Sequence, residues 1–310
     1  MDKIFFIGII IGVISRLIML NLDQKQYPTH PNILASQIVL AFVASSLGAL
    51  LIPALIERSY TSITFLSLAA EQFRQVRSNR RDTLESLEGT QLVTRGNSFI
   101  EEICRTYEIR NYMCIVTSFL TVSIFYVLTG EFKMVENLSI LISTLSGIVI
   151  AFIFRKLLSR QSIGDIAEVS IVDIKFVDET ILQVGSLKGI TNVALKKDRD
   201  RYLKEGIGIE IRPKNNSYSN ASIISQPGQR QAICYNLYSR LGVLREVNEP
   251  AFSPIPRIDP NTHCVLMAFI PMVKDKRKVI EAVKSCPILA TSRGKNLALK
   301  NMSILGKENE

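Results

Sequence analysis

Ile4-Phe5-Phe6-Ile7-Gly8-Ile9-Ile10-Ile11-Gly12-Val13 opens an almost wholly apolar segment that reaches Leu22. How it is read decides the fold. A secretory signal peptide would end in a small-x-small cleavage site. No such site follows at the right place, Arg16 interrupts the apolar run, and a second apolar segment begins at Leu34. The segment therefore reads as a membrane span. Gly8 and Gly12 form a small-xxx-small pair that lets a neighbouring helix come close. Arg16 is costly in hydrocarbon, so it either snorkels to the segment's polar end or pairs with an acid such as Asp23.

Three more spans follow, at Leu34–Ile56, Tyr112–Leu128 and Leu138–Phe154. Each is long enough to cross a core of ~30 Å. Ser45, Ser46, Gly48, Thr117, Ser118, Thr121, Ser143, Ser146 and Gly147 give them small or hydroxyl faces suited to helix packing, within the chain or in a homo-oligomer. Between the second and third spans lies Glu57–Arg110, with eight Arg, no Lys and eight acidic residues. Arg155, Lys156 and Arg160 follow the fourth span, while the loops at 23–33 and 129–137 hold one basic residue each, Lys25 and Lys133. The positive-inside rule then places both termini and the Arg-rich stretch in the cytoplasm, at the cell (inner) membrane.

The chain has 310 residues and a net charge of +9. Residues 1–155 carry 13 Lys+Arg against 12 Asp+Glu, and residues 156–310 carry 24 against 16. The second half is thus the basic one, and anionic inner-leaflet headgroups are its simplest partner, at roughly 1 kcal/mol per basic group. There is no Trp and no aromatic-basic interleaving, which argues against nucleic acid. The five cysteines form no CxxC and the two histidines are far apart, so neither a metal site nor a cofactor site is legible. Buried reduced thiols are expected.

The Arg-rich stretch reads as a cytoplasmic helical hairpin of at least three pieces. Ile63, Leu66, Ala70, Phe73 and Val76 fall at helical spacing and mark an amphipathic helix. Asp82-x-x-Glu85 opens a second short helix that Gly89 closes. Ser98-x-x-Glu101 is a capping box that opens a third, running through Tyr107 and Arg110 into the next span. Arg74, Arg77, Arg81 and Arg110, with Glu101, form a surface suited to bidentate pairing with a cytoplasmic protein partner.

Gln26-Tyr27-Pro28, Leu51-Ile52-Pro53-Ala54-Leu55, Tyr60 to Ala70, Gln72-Phe73-Arg74 and Val76-Arg77 resemble the YIEGIA family, membrane proteins of endospore-forming bacteria. The name-giving hexapeptide falls on Phe99-Ile100-Glu101-Glu102-Ile103-Cys104, where Ile100, Glu101 and Ile103 match, so this is a divergent member. Arg110-Asn111-Tyr112, Ile163-Gly164-Asp165-Ile166-Ala167 and Gly228-Gln229-Arg230-Gln231-Ala232-Ile233 extend the similarity over nearly the whole chain. The resemblance implies a spore-former and its inner membrane, and brings no reaction mechanism.

The second half reads as a small α+β domain over 157–297, followed by a loose tail at 298–310. Strands are expected at Ala167–Phe176, Thr180–Val184, Ile207–Pro213 and Cys264–Met272, helices at Gln229–Leu241 and Lys274–Ser285. Lys214–Asn220 reads as a loop and Glu249–Thr262 as a proline-rich one. A last strand at Ile288–Thr291 would complete a right-handed βαβ unit. Lys274, Lys276, Arg277 and Lys278 cluster at a helix start, either as a solvated basic turn or as a phosphate or lipid-headgroup contact. His263 and Cys264 are adjacent, and strand alternation argues against a catalytic pair.

The expected fold is a membrane α-helical domain over 1–156, with four transmembrane helices and the hairpin 57–110, plus the C-terminal α+β domain. The expected function is a regulatory or scaffolding membrane protein that docks a cytoplasmic partner in sporulation. The alternative is a membrane-embedded protease at the cytoplasmic face, although HExxH, GxSxG and a paired intramembrane Asp are missing and no catalytic residue is legible. Four spans without a mid-span acid disfavour a transporter.

Overall fold

The computed structural model describes residues 2–26, 31–158, 161–244 and 252–293. The tail expected at 298–310 lies outside them, as does the side chain of Asp23. The chain forms two compact units. One comprises the described residues of Met1–Thr83 and Ile103–Ser159, the other those of Leu84–Glu102 and Arg160–Glu310.

The first unit is built on α1 (Asp2–Gln26), α2 (Pro31–Ile56), α3 (Tyr60–Leu87), α4 (Asn97–Gly130) and α5 (Glu136–Leu157). Among the described residues, three helices are long and apolar enough to cross a membrane: Ala35–Ile56 in α2, Asn97–Gly130 and Glu136–Leu157. Burial is arranged as lipid solvent requires. Phe6, Val39, Leu145, Val149 and Phe152 are exposed, while small and hydroxyl side chains lie inside. On α5 the buried positions are Ser139, Ser143, Gly147 and Ala151, a stripe spaced by four. Side-chain hydroxyls close the interior: Ser118 Oγ donates to the Ser45 carbonyl (2.7 Å), and Ser15 and Thr117 share a 3.4 Å contact.

Two clusters fix the helix directions. Ile9 packs with Ala49 and Val122. Val13 packs with Ala41, Ala44, Phe73 and Cys114. As α1 advances, its partners on α2 and α4 recede, so α1 is antiparallel to both. Phe73 brings α3 into the same interior, and Arg77 meets Glu108 at 2.8 Å, so α3 runs antiparallel to α4. Only residues 131–135 separate α4 from α5, so α5 starts where α4 ends, and the starts of α1, α3 and α5 share one end of the bundle with the ends of α2 and α4. The ends of α1, α3 and α5 share the other.

The hairpin has two helices rather than three pieces. α3 is unbroken through Asp82, and Gly89 sits in a 3-10 turn at Glu88–Thr90. Within it the hydroxyl of Thr83 bonds back to the Asn79 carbonyl, beside Asp82, where a new helix was expected to start. α4 is a single helix into the span, as expected, but it starts at Asn97. The Gly96 carbonyl accepts the first bonds, from Phe99 and Ile100, and Gly96 adopts φ +82°, which favours glycine.

In the second unit, after the one-turn α6 (Ile163–Ile166), come β1 (Ala167–Val172), the hairpin β2 (Ile174–Val177) and β3 (Ile181–Val184), and α7 (Lys196–Glu205). β4 (Ile207–Pro213), α8 (Tyr218–Ser225), α9 (Pro227–Leu241), β5 (Arg257–Ile258), β6 (Val265–Phe269), α10 (Lys276–Lys284) and α11 (Ala290–Arg293) follow. The four-stranded sheet has the order β1-β4-β6-β5 and is antiparallel throughout. β6 is buried at every residue, as its unbroken apolar run requires. Its even-numbered residues join a core with Leu182, Val184, Tyr202 and Phe252. α10 packs on β1 and α9.

The βαβ unit expected at 264–291 does not form. Residues 290–293 are helical, because the Ala290 N–H is capped by the Glu102 carboxylate (2.9 Å), a partner remote in sequence. The loop expected at Lys214–Asn220 is a short 3-10 turn running into α8.

The α2–α4 crossing is close enough to test. A Cβ on Gly48 would lie 2.2 Å from the Ile115 carbonyl oxygen, while one on Gly130 would meet nothing within 4 Å. Gly48→Ala is expected to destabilise the full chain by about 1–3 kcal/mol. The thermal midpoint in detergent reads this, with Gly130→Ala as the near-neutral control. Equal midpoints for the two variants would mean that the helices do not meet at Gly48.

Candidate functional site

Two constellations stand out, one in each unit. In the first, three arginines gather around one tyrosine. Arg16, on α1, is 1% exposed, and its guanidinium carbon lies 5.5 Å from the centre of the Tyr107 ring. Arg80, on α3, lies 4.4 Å from the same ring centre. Arg110 is buried one turn along α4, within Coulombic range of Arg16. Cation–π contact of this kind contributes ~0.5–2 kcal/mol, more when the site is dry. Arg80 and Tyr107 carry no pattern in the sequence that would mark them, since either reads as an ordinary residue of an amphipathic helix.

The other arginines of the expected docking surface are placed differently. Arg77 pairs with Glu108 across α3 and α4 (2.8 Å) and is half-exposed. Arg74 pairs with Glu71 on its own helix, both exposed, which contributes ~0–1 kcal/mol. Arg81 is exposed on α3. Glu101 is half-buried and belongs to the second unit.

In the second unit the tip of the hairpin is built into the α+β domain. Glu88 closes the tip, its carboxylate accepting from the backbone N–H groups of Arg95 (3.1 Å) and Gly96 (3.0 Å). Arg95 Nε donates to the Tyr235 hydroxyl on α9 (2.9 Å), and Phe99 lies against the Tyr235 ring. Gln231 donates to the carbonyl and hydroxyl of Thr94. Gly228 allows Ser98 to come so near that a Cβ there would lie 2.5 Å from the serine oxygen. Gln229, fully buried, donates to the Pro287 carbonyl (3.0 Å) and accepts from Leu289 N–H (2.9 Å), while Glu102 accepts from Ala290. The hexapeptide at 99–104 and the stretch at 228–233 therefore converge on one turn, 287–290.

The basic cluster of the second half is partly self-neutralised. Lys274 pairs with Glu205 (2.9 Å). Asp275 caps α10, accepting from the N–H groups of Arg277 and Lys278, the donors that a phosphate at this terminus would need. Lys276, Arg277 and Lys278 remain exposed as cationic side chains.

His263, with φ +55°, is not yet in the strand, and it lines a cleft of about 450 Å³ together with Cys264, Arg212, Tyr218, Asn261 and Thr262. Burial pushes the Cys264 thiol up from its ordinary range, and its sulfur lies against the Thr262 carbonyl while the His263 ring lies against Tyr218. Among the described residues no group of three His, Cys, Asp or Glu is placed to hold a metal ion.

Fold and sites together define a helical membrane protein with an antiparallel α+β domain, into which a hairpin between two of its membrane helices is built. The family model described as YIEGIA protein matches residues 4–299, and the chain belongs to that family. YphB of Bacillus subtilis (strain 168), described as an uncharacterized protein, is 34% identical over 282 residues, which cover 91% of this chain and 90% of that one. No solved structure matches.

Gln229→Ala would leave a buried N–H and a buried carbonyl at 287–289 without their partner, at about 1–3 kcal/mol each. The expected result is lower stability together with faster hydrogen exchange at 287–290. Unchanged exchange there would remove Gln229 from its clamping role. Thiol chemistry gives a second check. Burial raises the Cys234 thiol to about 12 from 9.0, and Cys286 is pushed up as well. Because the folded values are raised, the neutral thiols contribute fully below pH 9, and stability should fall as pH climbs towards 12. At pH 8 neither thiol should react with an alkylating reagent until the chain is denatured.

Proposed function

We propose that the protein is a membrane-anchored regulatory scaffold, which holds its basic α+β domain at the cytoplasmic face of the inner membrane to engage a cytoplasmic protein. One observation carries this reading: the chain passes between its two units three times, twice inside helices, because Leu84–Glu102 belongs to the α+β unit. A single tether would suffice to keep a domain near a membrane. Building the α3–α4 tip into that domain constrains it further, as a docking platform needs.

We take α1 and α3 to be embedded beside the three membrane-length helices. Counting basic residues puts both termini in the cytoplasm. The antiparallel register favours another orientation, in which α1 starts outside and the turn between α1 and α2 faces the cytoplasm. Arg105, Arg110, Arg155 and Lys156 then still lie on the cytoplasmic side, in keeping with the positive-inside rule. Lys276, Arg277 and Lys278 are free to meet anionic headgroups. The resemblance to a family of endospore formers supports action during sporulation.

A reporter inserted after Gln26 separates the orientations. A cytoplasmic signal fits the register, and an external one restores the arrangement with both termini inside. For function, the full chain is co-expressed with candidate partners, and partner abundance and co-purification are followed in the wild type and in Glu101→Ala, Arg74→Ala, Arg77→Ala and Ser45→Ala. A scaffold retains its partner without consuming it. Partner loss that depends on one of these side chains would replace the scaffold with the membrane-embedded protease.

A further inference from the structure

We propose that Arg16 is the centre of an enclosed oxyanion site between α1, α3 and α4, which takes a phosphate group. The inference goes beyond the scaffold reading and uses only the interior of the first unit. Arg16 is almost wholly buried, yet its Nε and Nη1 have no hydrogen-bond partner. A guanidinium cannot lose its charge in a protein, and its donors form a rigid fork that matches two oxygens of a phosphate or carboxylate. Burying such a fork without an acceptor is among the least favourable arrangements a protein core can hold.

Among the described residues the surroundings do not supply that acceptor. The groups that act electrostatically on Arg16 are Cys114, Tyr107 and Arg80, and Arg16 in turn acts on Arg110. Two are a thiol and a phenol, and two are guanidinium groups like its own. Glu108, the nearest acid in sequence to this cluster, is engaged by Arg77. Among the described residues, then, the buried Nε and Nη1 of Arg16 stay without an acceptor while guanidinium groups of like sign lie within Coulombic range. An anion placed here would gain the unpartnered Nε and Nη1 donors of Arg16 and the attraction of Arg80. It would also relieve their mutual repulsion.

Position narrows the ligand. Arg16 lies towards the bundle end where α1, α3 and α5 finish and α4 starts. That end carries Arg155 and Lys156 and is the end where headgroups of the basic-side leaflet would lie. A phosphate group at this level comes either from an anionic phospholipid or from a soluble phosphate, and both present the same oxygens to the fork.

The test uses the full chain in a neutral detergent at fixed ionic strength. The thermal midpoint is measured with phosphatidylglycerol, with inorganic phosphate, and with phosphatidylcholine and chloride as controls. A rise with phosphatidylglycerol alone supports the site and identifies a lipid. A rise with inorganic phosphate supports it and identifies a soluble source. Arg16→Gln should abolish the response, Arg16→Lys should weaken apparent affinity roughly tenfold because a point charge replaces the fork, and Lys133→Gln, at an exposed loop residue between α4 and α5, should leave it unchanged. No rise with either anion, or an undiminished rise in Arg16→Gln, overturns the proposal. So does a response that appears only in Asp23→Asn, since that would make Asp23 the internal counter-ion. If Arg16→Gln does not fold, native mass spectrometry of the wild-type chain decides: one retained phosphate-bearing molecule supports the site, and a bare chain overturns it.

Discussion

The first unit depends on one constraint, the close contact of helix backbones where side chains are absent. At Gly48 the Ile115 carbonyl occupies the place of a Cβ, and at Gly12 the Ser45 side chain does the same. In hydrocarbon there is little hydrophobic force between helices, so contact area of this kind has to hold them. Once α2 and α4 meet there, the register of the bundle follows. Phe73 then falls beside Cys114, Arg77 opposite Glu108, and Arg80 over Tyr107. The charged cluster is thus a result of helix packing several turns away.

Much of this was legible in the sequence, and the reasons for the exceptions are specific. Long apolar runs and strands with dense β-branched residues declare themselves locally, and α2, α4, α5, β4 and β6 lie close to where pattern places them. The glycine pair Gly8 and Gly12 was legible for the same reason. Features settled by remote partners were not. Residues 288–291 have the composition of a strand, but the capping carboxylate comes from Glu102. Asp82 looks like a helix start, yet it stands within a helix that runs on to Leu87. The sequence left Arg16 between snorkelling and pairing, and only the positions of α3 and α4 reveal that it is enclosed. Arg80 and Tyr107 needed the fold before either could be singled out.

The family-like stretches gain a physical meaning from where they meet. Glu102, in the hexapeptide, and Gln229, in the stretch at 228–233, hold consecutive backbone groups of one buried turn. Gly228 and Gly96 make the space in which the hairpin tip and α9 come together. These residues lie in the second unit, and their contacts there account for their residue types. The hexapeptide is a joint, and the arginine cluster is a separate feature that it does not contain.

The joint also imposes a schedule on biosynthesis. The hydrogen bond between Glu102 and Ala290 spans 188 residues. At ~5–20 residues per second, the hairpin tip leaves the ribosome roughly 10–40 s before the turn that completes it. Through that interval the apolar surfaces of Phe99 and Ile100 lack their final cover. The α+β unit cannot close around its first-made segment until α11 has been synthesised.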